Sequence, residues 1–358
     1  MIRVLFEITQ SYYWQSFLPL VRIMQQDKNY DIYLGIGKNH IRKFGFLLLP
    51  QKDKIKQDFI SKGYKITDKN TGFDVIVCGD TPKNPEKYGN ALICNIDHGV
   101  SIKSQRYRKL DKLAATSQIN FVEGGYREQK LKKLGFSKDI KIVKVGMPKL
   151  DRLFDGSFHR NEILSRYNLD KKKKTLLFAP SYKPTSIYDL TNEFCKLQGY
   201  NLIIKLHPYS WSGKYVSHRQ HRFVEKVVQG YKQVCLIPKN EIDILPLLFA
   251  SDTIITEGSS VMNEFLSLGK CGVIYHKKSY HSDGKSVLEE DIKKWLSNSF
   301  VHIDQPNQLK SAVKTALNPS PKRQAAIYSD RDKIFSFVDG KSSVRVKRQI
   351  EKFLKEKN

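Results

Sequence analysis

Three apolar runs in this chain end abruptly on residues that move protons or hold anions. In Asn95-Ile96-Asp97-His98-Gly99 the run stops at an Asp-His pair and a glycine. The near-neutral pKa of a histidine at such an end suits a general base facing a cleft. Asp97 is the group to orient the ring, although neighbours on a strand point to opposite faces, which argues against direct contact. The plain alternative is a histidine bonded to nearby backbone. Ile203-Ile204-Lys205-Leu206-His207-Pro208 ends on a lysine and a histidine two residues apart. At the period of a strand Lys205 and His207 share a face and can reach one anion, and Pro208 ends the pairing. Leu176-Leu177-Phe178-Ala179 runs into Pro180, Ser181 and Tyr182, a proline stop followed by two hydroxyls.

The stretch from Asp252 to Leu266 carries the most information. A buried strand stops at Glu257, Gly258, Ser259 and Ser260, then enters an amphipathic helix. The first N–H groups of that helix and two serine hydroxyls converge on one spot, which suits a phosphate. The competing reading is an ordinary N-cap, with a serine satisfying only its own helix.

Elements that position these ends alternate between strand and helix. Strands are expected at 2–8, 31–35, 73–78, 91–96 and 141–145, with helices near 17–26 and 126–134. Gly146-Met147-Pro148 and the charged stretch to Lys174 read as a junction. A second block has strands at 175–179, 202–206, 233–237, 253–256, 272–275 and 300–303. Such alternation predicts an α/β fold of two doubly wound, Rossmann-like domains facing a cleft, whose ligands bind at the carboxyl ends of strands. The expected division is 1–160 for the acceptor side and 161–320 for the nucleotide donor. A basic helical tail, 321–358, packs back on the first domain.

At 358 residues, two domains are the default, and 40% hydrophobic residues exclude disorder. No apolar run reaches the length of a membrane helix, and the start reads as a strand rather than a leader. The protein is therefore expected in the cytoplasm. Five scattered cysteines without a C-x-x-C pair argue against zinc and against a disulfide framework. The net charge of +26 is uneven: 98–150 holds 13 Lys/Arg against 4 Asp/Glu. Such a field attracts nucleic acid, an anionic membrane or a polyanionic substrate. Lys103, Arg106, Arg108 and Lys109 are the expected acceptor-side basic surface.

Gly284-Lys285-Ser286 and Gly340-Lys341-Ser342 lack the first glycine of a P-loop, and Gly35-Ile36-Gly37 lacks the third glycine of a dinucleotide fingerprint. Zinc-finger spacing and RNP-type strands are missing, so nucleic acid is not the expected partner.

The ordered set of motifs nevertheless resembles one family. His98-Gly99 before a basic stretch, Gly146-Met147-Pro148-Lys149-Leu150-Asp151, Phe178-Ala179-Pro180-Ser181-Tyr182, Lys205-Leu206-His207-Pro208, Ser251-Asp252 through Ser259-Ser260 and Asp339-Gly340-Lys341-Ser342-Ser343-Val344-Arg345 look like those of CDP-glycerol glycerophosphotransferases of teichoic-acid and capsule synthesis. The resemblance runs from about residue 95 to the end. It implies a GT-B-like module that transfers a polyol phosphate from a CDP-activated donor, without metal or other cofactor. The histidine matching His98 is implied as base, and His207, Ser259 and Ser260 as holders of the pyrophosphate. The implied acceptor is a phosphorylated or lipid-linked glycan, which places the protein peripherally on the inner face of the membrane. Two departures bear on donor identity: Glu257-Gly258 stands where the family has Asp-Tyr, and Ser181-Tyr182-Lys183 where it often has Thr-Trp-Arg. With no further acceptor module evident, a single transfer or short primer step is expected.

The alternative is a GT-B glycosyltransferase using a nucleotide-sugar in lipopolysaccharide or capsule synthesis, with Glu257 as a ribose-binding carboxylate. A third reading, a non-catalytic nucleic-acid- or lipid-binding protein, explains the charge but not the convergent strand ends.

Overall fold

The computed structural model describes residues 1–10, 13–37, 40–43, 47–50, 52–79, 85–100, 102, 117–135, 140–211, 220–276, 281–282, 285–286 and 291–357. Lys103, Arg106, Arg108 and Lys109 lie outside the described residues.

Two parallel sheets organise the chain. The first contains β1 (Ile2–Ile8), β2 (Tyr30–Ile36), β5 (Ile66–Thr67), β6 (Val75–Cys78), β7 (Leu92–Ile96), β8 (Ile119–Val122) and β9 (Lys141–Lys144), in the order β5-β2-β1-β6-β7-β8-β9. A hairpin, β3 (His40–Lys43) and β4 (Leu47–Pro50), is inserted after β2. The second sheet is built from β10 (Thr175–Phe178), β11 (Asn201–Ile204), β12 (Val234–Leu236), β13 (Thr253–Thr256), β14 (Val273–Tyr275) and β17 (Val301–Ile303), in the order β12-β11-β10-β13-β14-β17. The short pair β15 (His281–Ser282) and β16 (Lys285–Ser286) lies between its last two strands in sequence.

Strand composition follows position. Every residue of β6, β7, β8, β10, β11 and β13 is buried, as expected of central parallel strands covered on both faces. The edge strand β9 exposes Lys141 and Lys144, charges that discourage further pairing. β8 was not anticipated from sequence. It has only four residues, Ile119-Asn120-Phe121-Val122, and no alternation to announce it.

Each sheet reverses its strand order at one place. In the first, β1 pairs with β2 on one side and β6 on the other. In the second, β10 is flanked by β11 and β13. Loops diverge above such reversals and leave a crevice at the carboxyl ends.

The stretch read as a junction contains the helix Arg160–Arg166. The tail divides between the two units. Ile327 and Ile334 of the helix Pro321–Ile334 join the core of the second sheet, whereas Val346 and Ile350 of the helix Ser342–Lys357 join that of the first. Backbone crosses closely between them, with Ser336 N–H donating to Glu123 O at 3.0 Å. A Cβ on Gly124 would fall 2.1 Å from Ile334 O, so only glycine fits there. Among the described residues no helix is long and apolar enough to cross a membrane.

Candidate active site

The site joins the two reversal points. From the first sheet the chain leaves β7 at Asp97 and reaches the second unit, where Val100 and Ile102 are buried in the second core. The side-chain amide of Asn263 donates to Val100 O at 2.8 Å, and Trp295 Nε1 donates to Asn263 Oδ1 at 2.9 Å. Lys149 clamps both carboxylate oxygens of the buried Glu264, at 2.8 and 2.7 Å. These contacts press Gly99 onto the helix Ser260–Leu266: a Cβ on Gly99 would lie 3.2 Å from Ser260 Oγ and 3.4 Å from Glu264 Oε1. His98 therefore stands beside the serine pair of the opposite unit.

His98 is half-buried and anchored from several sides. Its ring stacks on Tyr13, with centroids 4.2 Å apart, and Ser16 Oγ donates to its carbonyl at 3.3 Å. Its Nδ1 lies 3.5 Å from Gly79 O and 3.5 Å from Asp97 Oδ1. The Asp97 contact departs from the sequence expectation. β7 ends at Ile96, so Asp97 and His98 sit in a turn where strand alternation no longer holds. Gly79 O and Asp97 Oδ1 are both acceptors, so the neutral ring is assigned its proton on Nδ1, which leaves Nε2 as its basic nitrogen. Asp97 is supported in turn by the buried Arg127, 3.5 Å away, which donates to Glu123 at 3.0 Å. Tyr13 and Arg127 were missed in sequence. Tyr13 comes five residues after the end of β1, too far for the strand-end rule to single it out.

On the second sheet, Glu257 follows β13 and is fully buried. Its Oε1 accepts from the N–H groups of Ser181 at 2.7 Å and Ser186 at 3.2 Å, and its Oε2 from Ser186 Oγ at 2.7 Å. This places Glu257 beneath the 180–186 loop as the carboxylate that shapes it. The sequence reading set Glu257 against the donor or, in the alternative, against a ribose; in the structure its carboxylate is buried and engaged by three donors. Pro180 and Ser181 are buried in the same loop, and Gly258 is buried beside Glu257.

Ser259 is the N-cap of the helix Ser260–Leu266, but its side chain makes no capping hydrogen bond. That removes the ordinary-cap reading for this hydroxyl. Both Ser259 and Ser260 are half-buried at the crevice.

Tyr182 extends from the 180–186 loop over His207, with ring centroids 4.5 Å apart, and Tyr209 closes the group at 5.1 Å from Tyr182. His207 Nδ1 accepts from Tyr209 N–H at 3.1 Å. This ring therefore carries its proton on Nε2 and is a donor there, the reverse of His98. Lys205 is buried, and its Nζ reaches Leu206 O at 3.4 Å. Burial pushes its pKa down to about 8, while Glu241 and Asp243 act in the opposite direction. β11 ends at Ile204, so the strand period does not align Lys205 with His207. The structure gives them different surroundings: carboxylates for Lys205, aromatic rings for His207. Cys78, Cys94 and Cys271 are buried and in no disulfide, and no metal-ligating cluster occurs among the described residues.

The motif order along this crevice matches one family profile. The CDP-Glycerol:Poly(glycerophosphate) glycerophosphotransferase family matches residues 82–352. The chain belongs to this family. The match begins in the first unit ahead of β7, includes His98, and ends within the last helix. The teichoic acid poly(ribitol-phosphate) polymerase of Bacillus spizizenii is 25% identical over 271 residues, 70% of this chain. The chain spans 39% of the length of that relative. The wall teichoic acid polymerase TagF superposes with a TM-score of 0.70 over 99% of this chain and 89% of its own, at 18% identity. A histidine-to-asparagine variant of TagF soaked with CDPG gives the same score at 19% identity. A putative UDP-N-acetylglucosamine 2-epimerase from Listeria monocytogenes reaches 0.67 at 11% identity, covering 99% of this chain and 97% of that one. At these identities the structural likeness establishes the fold: two α/β units of GT-B type.

Proposed function

We propose that the protein transfers glycerol phosphate, or a related polyol phosphate, from a CDP-activated donor to a hydroxyl of a phosphorylated or lipid-linked glycan. The observation that supports this reading most is the abutment of the His98-Gly99 turn against Ser260, an arrangement suited to a base facing a phosphate-binding turn. In this reading His98 Nε2 takes the acceptor proton as the hydroxyl oxygen attacks the β-phosphorus of the donor. The new P–O bond forms in line with the breaking pyrophosphate bond, and CMP departs with the bridging oxygen. Asp97 stabilises the imidazolium that results.

Charge that develops on the phosphates is met by His207 Nε2–H, the Ser259 and Ser260 hydroxyls, and the first N–H groups of the helix. Fixed donors of this kind need no reorganisation as the reaction proceeds. Lys205 adds positive charge below pH of about 8.

Thermal stabilisation tests the donor without an acceptor, because a ligand that binds only the folded state raises the melting temperature with its concentration over Kd. CDP-glycerol or CDP-ribitol is expected to stabilise the protein more than UDP-sugars do, and Ser259→Ala/Ser260→Ala to remove that gain. A preference for a UDP-sugar would replace this reading with glycosyl transfer.

A further inference from the structure

The cations of the helix Ser342–Lys357 fall into two classes. Lys347 is neutralised between Asp27 at 2.8 Å and Glu351 at 3.0 Å. Lys341, which immediately precedes the helix, and Arg345, Arg348, Lys352 and Lys355 instead follow one another at steps of four and three residues. Those steps place all five on one face. The opposite face carries Val346 and Ile350, fully buried in the first core.

Among the described residues most of this row lacks counter-charge. Lys341, Arg348, Lys352 and Lys355 are exposed. Arg345 pairs with Asp339 and lies 3.8 Å over the Phe337 ring. Lys352 has Glu356 at 3.8 Å, a carboxylate it shares with Lys141 of β9. The side chains of Lys341, Arg348 and Lys355 meet no carboxylate among the described residues. Like charges at these spacings destabilise a helix, and cations near its N-terminus oppose the dipole. The row works against local stability, which is expected where it serves a ligand.

We propose that this face is a track for a linear phosphodiester chain, the already phosphorylated part of the acceptor, a role that rests on the phosphotransferase reading above. Three observations favour a polyanionic chain over a lipid bilayer. First, the apolar side of the helix is spent on the core, leaving Val344 as its one exposed large hydrophobic residue among those described, so little remains to insert into lipid. Second, a cation every three or four residues recurs about every 5 Å along a helix. Phosphates joined through a three-carbon polyol recur at up to about 7 Å by standard bond lengths, a difference that flexible Lys and Arg side chains absorb. Third, the track leads to the crevice. The first turn of the helix is pinned by Asp151, which accepts from Ser342 and Ser343 N–H at 2.9 and 2.7 Å. Two residues earlier Lys149 holds Glu264, the side chain that faces Gly99. A chain lying on the row thus reaches the acceptor side of His98, which adds to the acceptor-side basic surface expected from sequence at Lys103, Arg106, Arg108 and Lys109.

The test is binding of a fluorescent synthetic oligo(glycerol phosphate) to the full-length protein and to Arg348→Glu/Lys352→Glu/Lys355→Glu. The expected result is at least a tenfold rise in Kd. The log–log salt dependence should flatten by about 2, near 0.7 for each of three cations removed. Stabilisation by CDP-glycerol should be unchanged. Unaltered oligomer affinity in the folded variant would overturn the proposal. Loss of binding to phosphatidylglycerol vesicles with oligomer affinity intact would also overturn it and make the face a membrane contact. If the triple reversal does not fold, Arg348→Gln/Lys355→Gln is read by the same criteria. Failure of CDP-glycerol to bind wild-type protein would sink the donor reading separately, because oligomer binding is measured without it.

Discussion

His98 and His207 each follow the carboxyl end of a parallel strand, yet their surroundings give the two rings opposite tautomers. At His98, Nδ1 faces a carbonyl and a carboxylate, Gly79 O and Asp97 Oδ1, each at 3.5 Å. At His207, Nδ1 accepts the Tyr209 N–H at 3.1 Å. The first ring offers a lone pair at Nε2 and the second a proton. The lesson is that a histidine's role is set by what its other nitrogen meets, and in both cases that partner is supplied by the turn after the strand. The same residue type can thus serve as base on one side of a crevice and as phosphate donor on the other.

The comparison is broken most severely at His98. His98→Ala is expected to lower turnover by about 10²–10⁴-fold, the usual contribution of a positioned general base, as measured by CMP release. In the proposed mechanism His207 donates to developing charge, so His207→Ala should lower turnover by about 10²–10³-fold, with weaker donor binding in a titration. Asp97→Asn keeps the shape but weakens support for a protonated His98. A loss of about tenfold is expected, together with a shift of the acidic limb of the pH–rate profile.

The smallest effect concerns Lys205. Its pKa falls from 10.5 to about 8 on burial. Between those values the unfolded chain binds a proton at this lysine that the folded protein lacks, so the contribution of Lys205 to stability rises as pH climbs from about 8 towards 10.5. Lys205→Met should reduce that rise in urea melts at pH 7 and 9.5. Lys270, also pushed down to about 8 by burial, acts in the same direction, and the buried Cys94 and Cys271, pushed up by burial, act against it. Donor affinity in the wild type should decline as pH passes about 8.

Much of this was legible in the sequence because parallel sheets announce themselves. Continuous apolar runs such as Leu176–Phe178 and Ile203–Ile204 need no tertiary information, and each ended where chemistry began. What escaped depended on contacts distant in sequence. Glu257 looked like a ligand group because nothing local shows that Ser181 and Ser186, more than 70 residues away, occupy it. One local contact also escaped: Asp97–His98 was read against because strand alternation was extended two residues beyond the end of β7. Tyr13 and Arg127 support His98 from other elements, and pairwise contact of that kind leaves no periodic signal.

The division of labour between the two histidines is tested most directly by measuring CDP-glycerol affinity and turnover together in His98→Ala and His207→Ala. The expected result is donor affinity within a few-fold of wild type for His98→Ala despite lost turnover, and at least a tenfold weaker affinity for His207→Ala. Equal loss of affinity in both, or the reverse pattern, would contradict the assignment of His98 as base and His207 as donor to the phosphates.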